Sequence, residues 1–426
     1  MRLREVRELV RVRPRVTRGP DRALSGCNTV EDLRRLARQC LPKAVFDYVD
    51  GGADQELTLT ANQNAFERWR FLPRILQDVA EVDLSVEVLG RYLPVPLGLA
   101  PTGFTRMIHP GGERAVAEAA ASRGLPYGLS TVSTTSIEEL AASAHGDLWF
   151  QLYVLRDRET TRSLIERADK AGYQTLEVAV DTAISGRRLR DVRNGLTIPP
   201  QFSARTILDI GLHFRYWTSM LASSPLEFAN LGKHDFGSHG VTAVEISKLY
   251  DASVSWEDLE EIRSLWHGPL LIKGPIGPDD ARRAADYGID GIHISNHGGR
   301  QLDRCLPAIN LVRPVRVAIG DAMTVVVDSG VRHGSDIAIA VALGADLCMV
   351  GRPYLYGLAT AGQAGVKFVA DLLTAELRRT LQLLGVTRIA ELRSHGDELL
   401  VSPYDFLSMS TPRSAQWAEA VHSPPV

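Results

Sequence analysis

The sequence predicts an α/β protein: a (β/α)8 TIM barrel with an N-terminal helical leader and a long loop after its fourth strand. Three observations predict it. Short apolar runs alternate with stretches of 3.6-residue periodicity from Leu93 onward. Eight such runs fall within about 260 residues, close to the length of one such barrel. Nearly every run also ends in a polar residue or a glycine, which a barrel built only for packing would not need. An open doubly wound sheet is disfavoured because no G-x-G-x-x-G follows the first run.

In chain order, the leader contributes a helix over Val30–Cys40, with Asn28 as candidate cap, and the segment Phe46–Gly52. Strands are expected at Val95–Ala100, Leu125–Ser130, Leu148–Tyr153, Leu176–Val180, Leu270–Ile272, Ile292–Ile294, Thr324–Val327 and Leu347–Val350. Helices are expected at Glu113–Arg123, Ile137–Ala144, Arg158–Ala171, Ser255–Trp266, Pro278–Tyr287 and Asp336–Leu343. Ser255 before Glu257 and Asp258, and Pro278 before Asp279 and Asp280, are helix-start signals. The stretch Ala183 to Val254 follows the fourth strand and carries Ile207, Leu208, Ile210, Phe214, Tyr216, Trp217, Met220 and Leu221. It reads either as a helix packed on the core or as a face that dips into a membrane. The expected organisation is a flexible basic arm over residues 1–27, the barrel domain over 28–395 and a tail over 396–426.

Composition narrows the function. The 426 residues are 45% hydrophobic and 23% charged with net charge −3, which excludes disorder and supplies a large core. The same near-neutral balance argues against nucleic acid as a partner. Cys27, Cys40, Cys305 and Cys348 form no C-x-x-C pair, so neither a metal site nor a disulfide framework is expected, and a cytoplasmic setting fits. The first residues lack the apolar core of a secretory signal. The most apolar stretch, Ile337–Val350, is shorter than the ~18 residues of a membrane span. Arg2, Arg4, Arg7, Arg11, Arg13, Arg15, Arg18 and Arg22 form either a solvated arm or a contact to an anionic membrane or a neighbouring subunit.

The strand ends carry the chemistry. They read Pro101-Thr102-Gly103, Ser130-Thr131, Gln151-Leu152-Tyr153, Asp181, Lys273-Gly274, Ser295 to Arg300, Asp328 to Arg332, and Gly351-Arg352. Glycine with arginine after the last two strands suits a phosphate, through free backbone N–H groups and guanidinium forks. Asp328 suits a ribityl or ribose hydroxyl. Lys273 in a barrel mouth is costly unless paired. It reads either as a Schiff-base former or as a fixed cation for a ligand that gains negative charge, such as a reduced flavin. Arg300 suits bidentate capture of a carboxylate, and His297, three residues earlier, can reach a proton on the adjoining atom while Asp181 fixes its tautomer.

These residues also carry a resemblance. SNHGGRQLD (Ser295–Asp303), DSGVRHGSD (Asp328–Asp336), GRPYLYGLATAGQAGV (Gly351–Val366), FQLYVLRDR (Phe150–Arg158) and FDYVDGGA (Phe46–Ala53) are similar to the FMN-dependent L-2-hydroxy acid dehydrogenase/oxidase family. The resemblance implies FMN as cofactor and no metal. It implies His297 as acceptor of either the hydroxyl or the Cα proton, Asp181 as its partner, and Arg188 and Arg300 as carboxylate ligands. Tyr48 and Tyr153 match substrate-contacting tyrosines, Tyr153 standing with the catalytic group. Thr102, Gly103, Ser130, Gln151, Ala179, Lys273 and Ser295 match the flavin-ring surroundings, with Gly103 by N5. Asp328, Gly330, Arg332, Gly351 and Arg352 match the ribityl-phosphate site.

Several positions depart from the family pattern. Ala179 replaces a threonine, Thr182-Ala183 replaces Thr-Pro or Met-Pro, and Ser329 replaces a common glycine. Val132 stands where plant glycolate oxidases carry tryptophan, implying a roomier pocket, and Gly103 replaces an alanine, implying space at N5. GLSTVS, WFQLYVLRDR, SWEDLEEIRSLWHGPLLIKG and ATAGQAGV most resemble bacterial respiratory L-lactate dehydrogenases. The implied reaction is L-lactate to pyruvate with electrons passed to a quinone, in a homotetramer peripheral to the inner face of the cell membrane. The alternatives are an (S)-mandelate-type dehydrogenase, an oxygen-using 2-hydroxy acid oxidase, an FMN protein acting on a peptide-derived cofactor, and a non-redox phosphate-ligand barrel.

Overall fold

The computed structural model describes residues 19–195, 204–231 and 249–402. Eight parallel strands close into a barrel: β1 (Leu97–Thr102), β2 (Tyr127–Ser130), β3 (Leu148–Leu152), β4 (Thr175–Ala179), β5 (Leu270–Gly274), β6 (Gly291–Ile294), β7 (Thr324–Val327) and β8 (Leu347–Val350). The TIM barrel expected from the sequence is therefore the fold. Its strand starts differ from the expected ones by one residue at β4 and β6 and by two at β1 and β2, the larger shifts for local reasons. The Leu125 N–H bonds Ala120 O and closes the preceding helix, and Pro126 has no N–H to give, so β2 begins at Tyr127. Leu97 N folds back onto Val95 O at 2.7 Å, so β1 begins at Leu97 and runs on to include Thr102.

Side chains alternate across each strand. Outward ones such as Leu99, Leu129, Phe150, Val178, Ile272, Ile294, Val325 and Val327 pack with the surrounding helices into the main core. Inward ones behave differently at the two ends. Ala100, Trp149, Leu271, Val326, Leu347 and Met349 form a small separate core, plugged by Val88 and Leu93 of the hairpin Val86–Val88/Arg91–Leu93. Towards the C-terminal mouth the inward positions turn polar: Gln151, Glu177, Lys273, His293, Ser295 and Asp328 are all buried. That switch creates a charged floor under the mouth.

The leader is part of the body. Helix Val30–Cys40 buries Val30, Leu33 and Ala37 against the long helix Arg352–Leu384, which is broken at Ala361 and Gly362. Burying one such leucine is worth roughly 1.5–3 kcal/mol. Its cap is Thr29 rather than Asn28. Thr29 Oγ1 accepts from Asp32 N at 3.1 Å and the Asp32 carboxylate accepts from Thr29 N at 3.0 Å, a reciprocal box that needs the acid three residues on. Residues 1–18, with most of the basic arm, lie outside the described residues, as do 403–426 of the tail. Pro20–Leu24 is helical and Leu24 and Cys27 are buried. At the other end Leu400–Val401 pairs antiparallel with Arg70–Phe71.

The insertion after β4 contains Leu189–Arg193, Ala204–Leu212 and Phe214–Leu221, with 196–203 and 232–248 outside the described residues. Helix Phe214–Leu221 buries none of its residues, so the core-packed reading does not hold for it. Leu208, Leu212, Phe214 and Leu221 are 65%, 74%, 72% and 81% exposed. The side chains of Ile207 and Ile210 are not among those described. Tyr216 tethers this helix by donating to Met107 O at 2.8 Å, and burial pushes its phenol up to about 12. No helix among the described residues is long and apolar enough to cross a membrane.

Candidate active site

One cavity of about 380 Å³ opens at the C-terminal mouth, where barrel sites form. Tyr48, Thr102, Gly103, Tyr153, Arg188, Lys273, His297, Arg300, Asp328, Gly330, Arg332, Gly351 and Arg352 all line it. Thirteen residues singled out from separate parts of the sequence thus share one space.

His297 sits in the turn after β6 with left-handed backbone, φ +57°, followed by Gly298 and Gly299 in the same region. For a residue with a side chain this costs of order 1–3 kcal/mol and marks a geometry imposed by its surroundings. Asn296 accepts from Gly299 N at 3.0 Å and exchanges amide hydrogen bonds with Asn62 of the leader at 2.7 and 2.8 Å. The imidazole Nδ1 lies 3.0 and 3.1 Å from the two oxygens of Asp181, which only accept. The proton therefore sits on Nδ1, and Nε2 keeps its lone pair towards the Tyr153 hydroxyl at 3.0 Å. Burial holds the Tyr153 phenol well above the ordinary tyrosine value, so it remains a neutral donor.

The rim is built from arginines and backbone carbonyls. The C-terminal turn of helix Lys43–Asp50 offers the oxygens of Tyr48, Val49 and Gly51, where a helix favours cations. Arg300 Nη1 donates to Tyr48 O at 2.6 Å and Gly51 O at 3.0 Å. Arg352 donates to Val49 O at 3.0 Å, Gly51 O at 2.8 Å and Gly298 O at 2.9 Å. Arg188 and Arg300 converge on the Tyr48 ring, their guanidinium carbons 5.3 and 5.1 Å from its centroid. Arg188 has Asp191 at 2.9 Å, but Arg300 and Arg352 have no carboxylate partner among the described residues. Burial first, then the neighbouring Arg188, lowers the Arg300 pKa. Burial lowers that of Arg352 to about 10, leaving it charged at neutral pH. Among the described residues Arg300 uses only Nη1, so Nε and Nη2 remain for a bidentate anion.

The floor is balanced. Lys273 donates to Asp328 at 2.8 Å and to Ser295 at 2.7 Å. Ser295 in turn accepts from His297 N at 3.0 Å, linking floor to catalytic turn. Burial disfavours the Lys273 ammonium, yet Asp328, Glu177 and Asp181 outweigh it and raise its pKa. Gly330, φ +113°, passes Asn62 O so closely that a Cβ would lie 2.4 Å away, so only glycine fits. Ser329, where the resemblance leads one to expect glycine, has φ +71° and accepts from Gly298 N at 3.0 Å while donating to Asp328 at 2.6 Å. Its side chain ties the two glycine-rich turns together.

The remaining candidates do not line the cavity itself. Asp181 and Ser295 act through His297 and Lys273, as above, and Ser130 and Gln151 are buried beneath the mouth, 2.9 Å apart. Ala179 is not brought to the cavity: it lines a separate one with Val180, Ile272 and Trp256. A side chain on Gly103 would meet Val132 Cγ2 at 2.6 Å, so the space expected at Gly103 is filled by Val132. Sequence reasoning missed Gln301, whose amide donates to Asp181 O and Ile184 O at 2.9 and 3.0 Å. It also missed Tyr250, whose ring is tilted against Tyr153 with centroids 4.8 Å apart, and Phe228, whose ring centroid lies 4.7 Å from that of Phe104. Gln301 lay within a recognisable motif. Tyr250 and Phe228 had no signal, since they lie outside the helices described for the insertion.

The comparisons agree with this geometry. The family model of the FMN-dependent dehydrogenases matches residues 37–398. The chain belongs to that family. A putative L-lactate dehydrogenase of Mycobacterium tuberculosis is 44% identical over 372 residues, covering 87% of this chain and 89% of the relative. The (S)-mandelate dehydrogenase of Pseudomonas putida is 42% identical over 363 residues, covering 85% and 92%. A crystal structure of the monotopic membrane protein (S)-mandelate dehydrogenase superposes with TM-score 0.84 at 40% identity, covering 88% of this chain and all of the other.

FMN is the cofactor of the family, and the residues present fit it. Gln151 Nε2 is a buried donor with no partner among the described residues, as a hydrogen-bonding ring edge would require. The N-terminus of helix Arg352–Leu384, the tight turn at Gly330 and the two unused N–H groups of Arg352 together make an anion site of the kind a phosphate takes.

Proposed function

We propose that the protein oxidises an (S)-2-hydroxy acid to the 2-oxo acid, with L-lactate as the first substrate to test. The observation that carries it is the unpartnered edge of Arg300 beside Arg188, within one cavity with His297 Nε2. Bound FMN supplies the two-electron acceptor. Arg300 and Arg188 clamp the substrate carboxylate, a charge-assisted contact worth about 1.5–3 kcal/mol. Tyr153 and His297 Nε2 meet the group on the adjoining carbon. His297 takes the proton, and Asp181 stabilises the imidazolium that results. Lys273, Gln151 and Ser130 hold the ring edge, and Arg352, Arg332, Gly351 and Gly330 hold the phosphate.

A second reading, an acid with a bulky apolar side chain such as (S)-mandelate, is favoured by the cavity wall of Phe104, Met107, Ile108, Val132, Phe228 and Leu355. For the electron acceptor, the exposed Leu208, Leu212, Phe214 and Leu221 support a peripheral membrane contact and hence a quinone. A homotetramer belongs to the same proposal and is checked by sedimentation. The deciding experiment is anaerobic bleaching of the bound flavin by a panel of (S)-2-hydroxy acids, followed by reoxidation with air or a quinone analogue. Bleaching by lactate, mandelate or both, with slow reoxidation by air and fast by quinone, is expected. No bleaching by any acid contradicts the reaction, and rapid reoxidation by air makes the protein an oxidase.

A further inference from the structure

Two charged residues inside the barrel have no part in that scheme. Glu177 on β4 and His293 on β6 are 1% and 0% exposed, and His293 Nδ1 is hydrogen-bonded to Glu177 Oε1. On its other side His293 Nε2 lies 3.3 Å from Asp328 Oδ2, the same oxygen that accepts from Lys273. Both imidazole nitrogens therefore face carboxylates. The groups facing His293 are Glu177 from β4, Lys273 beside it on β5 and Asp328 from β7, with neutral Ser295 next inward on its own strand run. Two carboxylates and one ammonium leave the cluster one charge short of balance, and a protonated His293 closes it. Burial works against that proton, but Glu177 and Asp328 outweigh both burial and Lys273, and the imidazole pKa is raised. Apolar Trp149, Leu271, Val326 and Met349 lie beneath, so no solvent screens the cluster from that side.

We propose that Glu177 and His293 are a positioning pair: they fix the charge and placement of the Lys273–Asp328 couple, and through it the reduction potential of the bound FMN. The proposal rests on the placement of the flavin ring edge over Lys273 given above. Reduction adds negative charge to that edge, so the net charge of the floor enters the potential directly. The pair works as a unit because each member cancels the other.

The test is the midpoint potential of the holoenzyme, followed by anaerobic spectroelectrochemistry from pH 6 to 8. His293→Gln removes the cation and leaves Glu177 uncompensated. The flavin reduction equilibrium should fall at least tenfold, about 30 mV for two electrons. Glu177→Gln, which keeps the imidazole, should shift it the opposite way. The double variant removes both charges and should return to within threefold of the parent, a non-additivity that loss of packing does not produce. Lys273→Met separates this proposal from the flavin placement. If Lys273→Met lowers the potential while neither single variant moves it, the pair is only structural and the proposal falls. If none of the variants moves it, the placement over Lys273 falls as well. If both single variants shift the same way and the double adds them, the charge-pairing argument is overturned.

Discussion

The floor and the rim of the cavity treat charge in opposite ways. On the floor, Lys273, His293 and Glu177 from three strands and Asp328 just past the end of β7 neutralise one another within the barrel. On the rim, Arg300 and Arg352 are held by carbonyls of the leader and the His297 turn, with no carboxylate of their own among the described residues. Buried charges that pair internally are machinery the protein keeps for itself. Cations at a cavity rim that rest only on backbone oxygens are a standing demand for an anion. The difference separates the part of the site that tunes a resident group from the part that captures visitors.

The largest expected effect comes from the residue that joins the two regions. His297→Gln should keep FMN bound yet lose about 10²–10⁴-fold in the rate of anaerobic flavin reduction; unchanged bleaching removes His297 from its role. Next is the rim itself. Arg300→Lys keeps the charge but not the fork, and should raise KM for the hydroxy acid by about 10- to 100-fold, read from steady-state kinetics with an artificial acceptor.

The support of the rim gives a stability effect with a pH signature. Asp50 accepts from Arg34 at 2.6 Å, from Arg190 at 2.9 Å and from Tyr356 at 2.8 Å, and so fixes the helix whose carbonyls hold the arginines. Burial raises its pKa, but Arg34, Tyr356 and Arg190 outweigh burial and hold the carboxyl well below the ordinary range. A depressed folded pKa stabilises at pH values above the unfolded value near 4, and that contribution is lost as pH falls below it. Asp50→Asn should cost about 2 kcal/mol at pH 7, less than a fully buried pair because Arg34 and Arg190 are partly exposed. The gap in Tm between variant and parent should narrow below about pH 4. The smallest effect tests a place remote from both regions: Thr29→Ala should lower stability by about 1 kcal/mol through loss of the capping box, with flavin reduction unchanged.

The floor and the rim also differ in how far the sequence disclosed them. Strand periodicity located β1 to β8, and the polar residue closing each run brought Lys273, His297, Asp328 and Arg352 to notice, because in a barrel those positions converge. The acceptors that hold Arg300 and Arg352 are backbone oxygens, which have no residue identity to read. The wall residues Phe228 and Tyr250 come from an insertion whose course is set by tertiary packing. Glu177 and His293 lie inside runs that read as plain apolar strands. A charged residue at an inward position of a buried strand was the available signal, and only its partner across the barrel gives it meaning. The cap at Thr29 rather than Asn28 was not legible from spacing, because each has an acid three places on, Glu31 and Asp32, and only the backbone geometry selects Thr29.

The rim account is tested most directly by comparing an (S)-2-hydroxy acid with its uncharged amide, in the parent enzyme and in Arg300→Lys, by anaerobic stopped-flow reduction of the bound flavin. The parent enzyme should reduce its flavin with the acid at least tenfold more efficiently than with the amide, and Arg300→Lys should narrow that ratio mainly by losing the acid. Equal efficiency with acid and amide in the parent enzyme would contradict it.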